Sequence, residues 1–415
     1  MKNSLTPRAK AIGEAIQKRI DGVAKTTGLQ EAADFISSNW TMGSLTLLPE
    51  VARQYIADIV DQTGFLKTCR QFTTNKLSLN MNVYQIQERM SYRPTVLTDS
   101  TAAQRAVVSN VGLEATLKRM ATTAYIDYDA IEDNADKGTD FVVRLVEDML
   151  IRQRANDEAD LAMNGTTDTW VADTFLTNNE GFPQLAKDNT SVYKAFTGAT
   201  LTTKVGILEA MWDELPAKRK TRPGLVYILN INNAAAYRRE IGAKEGMGYV
   251  FVTGNANQSE GIPIIIGDFQ PEDFYFLGRP GEDFGVFHNI KMQVSMKNEV
   301  EQSAIKAVLN QSIDFQYVNP EQLCVAYAGT PSDVTNSPTV SATYSTGVDV
   351  TLTRDTYNED QNTTIYYTTN GSTPDTSDGT LYSAAFTLTS TTVVKARTYK
   401  NGVVGTTLTA TYSTA

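Results

Sequence analysis

The chain has 415 residues, with 47 acidic against 37 basic side chains and a net charge of −10 at pH 7. That length holds two or three domains with substantial cores, and the charge excludes a protein that gathers nucleic acid over its whole surface. The one histidine, His288, sits in the strand-like run FHNIKMQV and reads as structural, so Ser-His-Asp, Cys-His, HExxH and histidine-rich metal sites are excluded or reduced to arrangements without histidine.

Residues 1–66 form an arm and the first helices. Ile12, Ile16, Ile20 and Val23 share one face, with Lys10, Lys18 and Arg19 opposite, which points to an arm that docks on a partner surface rather than on a membrane. The N-terminus lacks a signal-type apolar region, and no run approaches the roughly 18 residues that cross a bilayer, so a protein made and used inside a cell is expected. Val51, Tyr55, Ile56, Ile59 and Val60 follow Pro49 at helical spacing. Residues 67–108 alternate loosely, with turn-forming residues from Pro94 to Ala103 and too little apolar content for a core. Such a stretch is either a disordered loop or an extended hairpin that borrows a neighbour's surface. From Asn110 to Asp129, Val111, Leu113, Ala115 and Leu117 alternate as strand residues.

The longest element spans Thr139–Gly165. Phe141, Leu145 and Met149, then Ala155, Ala159 and Ala162, make one helical stripe that narrows to alanines, so something must approach its second half closely. Thr139 or Asp140 is the N-cap, and Gly165 stands where a left-handed C-terminal cap belongs. At about 1.5 Å per residue the helix would be about 38 Å long. Arg144–Asp148, Asp148–Arg152 and Arg154–Glu158 fall at i,i+4, which is expected to brace an exposed face. Asp157, Glu158 and Asp160 crowd the C-terminal turns, where the helix dipole disfavours anions. Either that face is simply solvated, or these carboxylates meet cations on a neighbouring copy of the chain.

Helices are expected at about Thr203–Leu215 and Asn233–Glu240, flanking the buried-strand run LVYILNI. The loop GAKEGMG is neither a Walker A nor a dinucleotide motif, so no cofactor is implied. Strand-like runs then follow to Gly329, and helices and strands mix without regular alternation, an α+β body. Lys218-Arg219-Lys220 is a basic cluster that could face nucleic acid or be an ordinary surface. Cys69 and Cys324 have no ligand spacing and read as buried, reduced thiols, with a disulfide between them left open by spacing alone. Residues 330–338 read as a linker, and 339–415 as an all-β sandwich rich in Thr, Ser and Tyr, with Asn370-Gly371 and Asn401-Gly402 as hairpin signals. Tyr357 and Tyr399 would stack on sugar rings if exposed and otherwise belong to the core.

The order of these pieces resembles the major capsid protein of tailed bacteriophages, the Hong Kong 97-type fold. The resemblance covers about residues 1–328 and rests on the arm, the extended segment, the helix ending in Leu161-Ala162-Met163-Asn164-Gly165, Asn179-Glu180-Gly181-Phe182-Pro183, Gly261-Ile262-Pro263 with Gly267-Asp268-Phe269, and the closing strand from Asp314 to Ala328 with Asn319-Pro320. It implies that 67–108 is the E-loop, 109–200 the peripheral domain with the 139–165 spine helix, 201–300 the axial domain and 301–329 the return strands of the peripheral domain. Relatives that weld their shells covalently use a Lys on the E-loop; here Met81 to Val107 contains none, which implies a non-covalent shell.

The implied function is an icosahedral virion shell, not an enzyme, self-assembling as hexamers and pentamers in the host bacterial cytoplasm. The implied partners are scaffolding, portal and other virion proteins, with packaged DNA held non-specifically at the inner face. Inter-subunit candidates are Asp157, Glu158 and Asp160 together with Arg89, Arg93 and Arg105. The C-terminal stretch is similar to the chitobiase/β-hexosaminidase C-terminal type of immunoglobulin-like domain, through Tyr366-Tyr367-Thr368-Thr369-Asn370-Gly371-Ser372-Thr373-Pro374 and Val393-Val394-Lys395-Ala396-Arg397. This implies an outward-facing decoration, with a host-surface glycan as the ligand open to it. An encapsulin-like compartment is the alternative on the same fold, and a carbohydrate-active protein the alternative outside it.

Overall fold

The computed structural model describes residues 45–46, 53, 56–57, 59–61, 63–86, 108–127, 152–167, 173–198, 201–243, 257–299, 304–339, 343–345 and 347–414. The arm before residue 45 and the first half of the expected spine helix lie outside them. The chain divides into two units, Met1–Gly181 with Phe284–Val318, and Phe182–Asp283 with Asn319–Ala415.

The first unit is built on one long strand, Ala304–Tyr317. Along one edge it pairs antiparallel with Gln293–Glu299 and then with Phe284–Asn289, and along the other with Lys118–Asp127. Arg70–Thr74 extends the sheet in parallel beside Phe284–Asn289, stacking Phe72 on Phe287 at 4.6 Å between ring centroids. The sheet's Phe284, Val286, Phe287, Leu309, Ile313 and Phe315 are buried, so the strands around Ala304–Tyr317 carry the core of this unit. Arg53, Ile56, Ala57, Ile59, Val60 and Asp61 are helical, with Ile56, Ile59 and Val60 buried as their spacing predicts.

Of the long helix expected over Thr139–Gly165, the described part is Arg152–Asn164. Ala155, Ala159 and Ala162 are buried, and at the end of the helix residues 179–181 come against the backbone of Leu161, Ala162 and Gly165. The Gly181 N–H donates to the Gly165 carbonyl at 2.8 Å. A Cβ on Gly165 would stand 2.4 Å from the Asn179 carbonyl oxygen, and one on Gly181 2.7 Å from that of Ala162. The expected left-handed cap at Gly165 is therefore corrected: its φ is not positive, and its N–H still bonds to the Leu161 carbonyl at 2.9 Å. Glycine is needed there because backbone packs on backbone.

The second unit carries a six-stranded sheet in the order Tyr193–Phe196, Cys324–Tyr327, Tyr275–Gly278, Val226–Leu229, Ile262–Ile266, Gln258–Ser259. Against it pack the helices Lys204–Glu214, whose Thr203 hydroxyl accepts from the Gly206 N–H, and Ile231–Ala243. Leu208, Met211, Tyr227, Leu229, Leu277 and Cys324 fill the layer between.

The same unit holds a β-sandwich. One sheet contains Thr335–Ser337, Val348–Thr353 and Phe386–Leu388; the other is ordered Thr343–Tyr344, Leu408–Thr414, Thr392–Lys400, Thr364–Thr368, Thr380–Leu381. Val348, Val350, Leu352, Ile365, Val394, Ala396, Ala410 and Tyr412 form its core, every second residue of their strands as alternation requires. Asn401 and Gly402 both have positive φ and close the two-residue hairpin from Lys400 to Val403, as the sequence signal predicts. Asn370 does not close one: its carboxamide oxygen accepts from the Ser372 N–H at 2.9 Å inside the longer 369–379 connection. Of the expected linker, Thr335–Ser337 is a strand of the sandwich.

Candidate assembly site

Ser78–Ile86 and Val108–Thr116 form a two-stranded antiparallel ribbon whose strands, among the described residues, pair only with each other. Its inward residues Leu79, Met81, Leu113 and Ala115 meet Phe287 at the root, where the Leu117 N–H donates to the Leu77 carbonyl and the Thr116 N–H to Asp314 Oδ2 at 2.9 Å. Burial pushes the Asp314 carboxyl up to about 6, against lowering bonds from Gln316, Phe315 and Thr116. A lone two-stranded ribbon is marginal in water. Leu77 at its root is exposed, as are Asn80, Gly112 and Glu114 along it. Arg89, Arg93 and Arg105 fall outside the described residues.

The helix carboxylates separate into two kinds. Glu158 is corrected as an inter-subunit candidate: its side chain is 1% exposed and accepts from Arg154 Nε at 2.8 Å. The Arg154–Glu158 pair therefore braces the buried face of the helix and not an exposed one. Asp157, bonded to Gln153, and Asp160, bonded to Asn164, stay partly exposed. Partial burial raises the Asp157 carboxyl, with Gln153 and Arg154 opposing.

Arg154 heads a buried polar chain that sequence reading did not find. Its guanidinium donates to Thr122 Oγ1 at 3.1 Å and Gln311 Oε1 at 3.4 Å; Gln311 Nε2 meets His288 Nδ1 at 3.3 Å; His288 Nε2 meets Gln71 Oε1 at 3.2 Å; and Gln71 Nε2 donates to the Leu66 carbonyl at 2.8 Å. Arginine at one end only donates and the carbonyl at the other only accepts, so every link has one direction. His288 must be neutral with its proton on Nε2. Burial, with Arg154 adding and Glu158 opposing, holds its pKa below the usual value. The one available sequence signal was a lone histidine and two glutamines at inward strand positions.

The basic cluster is occupied within its own unit. Arg219 lies 5.3 Å from the Tyr193 ring centroid and pairs with Glu321, and Lys220 lies 4.9 Å from that of Trp212; Lys218 is exposed. Tyr357 is exposed, whereas Tyr399 is corrected as a glycan contact: it is 9% exposed, packs edge-on to Tyr366 and donates its hydroxyl to the Pro374 carbonyl. Cys69 and Cys324 are buried free thiols. Among the described residues no helix is long and apolar enough to cross a membrane, and no group of His, Cys, Asp and Glu could hold a metal ion.

The profile of the Fn3 associated family matches residues 350–412, within the sandwich. Among solved structures, a chain of the satellite phage P4 procapsid that includes the size determination (Sid) protein is 12% identical with a TM-score of 0.54, covering 72% of this chain and 98% of that one. A chain from the capsid of the empty GTA particle is 13% identical with a TM-score of 0.45, covering 65% and 90%. One from a virus-like particle of Pyrococcus furiosus is 13% identical with a TM-score of 0.42, covering 66% and 97%. No curated protein matches the chain. The mixed α+β fold is thus shared with a chain of a phage procapsid, and the C-terminal β domain with the Fn3 associated family.

Proposed function

We propose that the chain is a major capsid protein of a tailed bacteriophage with the Hong Kong 97-type fold, building hexamers and pentamers of an icosahedral, DNA-containing shell. The observation that carries this reading is the likeness to the P4 procapsid chain along 98% of that chain's length. The isolated hairpin supports it, because a ribbon that pairs only with itself gains stability by lying on a neighbouring copy. In this reading Asp157 and Asp160 face a neighbour, with Arg89, Arg93 and Arg105 on the E-loop as the candidate cations. Scaffolding and portal proteins are partners during assembly in the bacterial cytoplasm, DNA meets the inner face without sequence preference, and the sandwich, of the chitobiase-associated immunoglobulin-like type, faces outward.

Negative-stain electron microscopy of the full chain after size-exclusion chromatography tests it. Closed shells, tubes or capsomer rings are expected. A monodisperse monomer, both alone and with the scaffolding protein co-expressed, would overturn the reading.

A further inference from the structure

Among the described residues Tyr193–Phe196 is an edge strand: it pairs on one side with Cys324–Tyr327, and no described strand lies on the other. Open edges invite wrong pairing and need cover. Here the cover comes from the C-terminal module. Its Asn358–Asp360 turn lies along the approach to that strand, with the Glu359 N–H donating to the Thr190 carbonyl at 3.4 Å and Asn358 Nδ2 to the Ser191 carbonyl at 2.7 Å. The Glu359 carboxylate pairs with Lys194, which leaves the strand itself. Beyond the strand, a Cβ on Gly198 would stand 2.5 Å from Val403 Cγ2, so the module rests on bare backbone.

The second hold is Lys400. Its ammonium donates to Glu214 Oε2 at 3.2 Å and to the carbonyls of Glu359 and Gln361 at 2.8 and 2.6 Å, which uses all three of its protons. Glu214, at the end of the helix Lys204–Glu214, also accepts from Asn362 and Asn401. Both side chains of the ion pair are buried. A domain swinging in solvent has no reason to bury an ammonium, whose desolvation is costly unless every donor is met. The connection is tied down as well: the Ser332 N–H donates to Asp360 Oδ1, and Thr398 Oγ1 to the Ser332 carbonyl.

We propose that the C-terminal module is a clasp, seated in cis by Lys400 on Glu214 and by the 358–360 turn on the chain entering Tyr193–Phe196, which closes the open edge of this sheet and holds the module in one orientation. The module then has a role inside its own subunit besides any ligand it presents outside.

Hydrogen exchange with mass spectrometry on the full chain tests this. In Lys400→Met, amides of Tyr193–Phe196 should exchange at least about tenfold faster while Thr364–Thr368, inside the sandwich, keeps its protection. Unchanged exchange at Tyr193–Phe196 with the sandwich intact would overturn the clasp. Should Lys400→Met fail to fold, Asn358→Ala combined with Glu359→Ala removes only the turn's contacts and gives the same readout. Protection of Tyr193–Phe196 that is lost on dilution of the wild type would also overturn it, by seating the module of a second copy there.

Discussion

Arg154 and Glu158 stand one helical turn apart, joined at 2.8 Å, and neither side chain reaches solvent. On an exposed helix such a pair contributes a few tenths of a kcal/mol. Buried, its value lies in what its loss leaves behind. Glu158 Oε2 has no hydrogen-bond partner among the described residues, so Arg154 is what offsets the carboxylate's desolvation. Arg154→Met should destabilise the protein by about 3–5 kcal/mol, and Arg154→Met with Glu158→Leu by much less, since an apolar pair carries no desolvation cost. Denaturant unfolding of the single and double variants checks this; a single variant within about 1 kcal/mol of wild type would sink it.

His288 makes the same chain sensitive to pH. Neutral, it accepts from Gln311 and donates to Gln71; protonated, it would turn an N–H toward the Gln311 amide. Its pKa is lowered in the fold, chiefly by burial, so the unfolded chain takes up the proton first. The contribution to stability is complete above the unfolded value of about 6.5 and declines as pH falls below it. Wild type should lose stability relative to His288→Gln between about pH 7 and 5. A difference independent of pH would show that the fold does not lower the ring's pKa.

Asp314 acts in the opposite direction. Its carboxyl, buried at the root of the hairpin, is raised to about 6. Between the unfolded value of about 3.9 and that figure the folded chain binds the proton more tightly, so stability contributed here is present at low pH and falls as pH rises through the window, by on the order of 2–3 kcal/mol. Asp314→Asn removes the dependence. Subtracting its unfolding free energies from those of wild type, from about pH 3 to 7, should leave a slope of that sign, and a slope of the other sign would exclude burial as the dominant cause.

How far the sequence was legible depended on whether a signal was local. Period-two runs found the strands of the sandwich, and the paired positive φ at Asn401 and Gly402 needs only those two residues. Residues 179–181 come against the end of the helix at Leu161, Ala162 and Gly165, and nothing in the helix itself names them. Tyr193–Phe196 pairs beside Cys324–Tyr327, a partnership across more than a hundred residues that no local pattern in either strand names. The charged residues misled most. Arg154 and Lys400 look like surface side chains in a one-dimensional pattern, and what they meet in the interior, Thr122 and Gln311 for Arg154 and Glu214 for Lys400, is set by topology.

The residues from Met81 to Val107 contain no lysine. An amide weld whose nucleophile comes from this segment would need such an amine. Assembled particles boiled in denaturant should therefore run as a single band at the monomer mass of 45.5 kDa. A ladder of multiples would refute the proposed non-covalent shell and direct attention to Lys76 and Lys118, which flank the segment.

Gly165→Ala gives the sharpest test of the spine's ending. If glycine were there for a left-handed cap, alanine would cost about 1 kcal/mol and asparagine would be tolerated. The structure instead places an added Cβ 2.4 Å from the Asn179 carbonyl oxygen, 2.5 Å from that of Leu161 and 2.9 Å from the Gly181 nitrogen. All three are backbone atoms, which cannot turn aside as a side chain can. Accommodating a methyl group means parting the helix end from 179–181 and giving up the bond from the Gly181 N–H to the Gly165 carbonyl and the one from Asn179 Nδ2 to the Ile313 carbonyl. Alanine should then cost about 3 kcal/mol or more, asparagine no less, and Gly181→Ala a similar amount because it meets Ala162 and Leu161 across the same contact. Urea unfolding of the three variants decides between the two accounts: a mild alanine with a milder asparagine would restore the left-handed cap, and equal, large losses would establish the backbone contact.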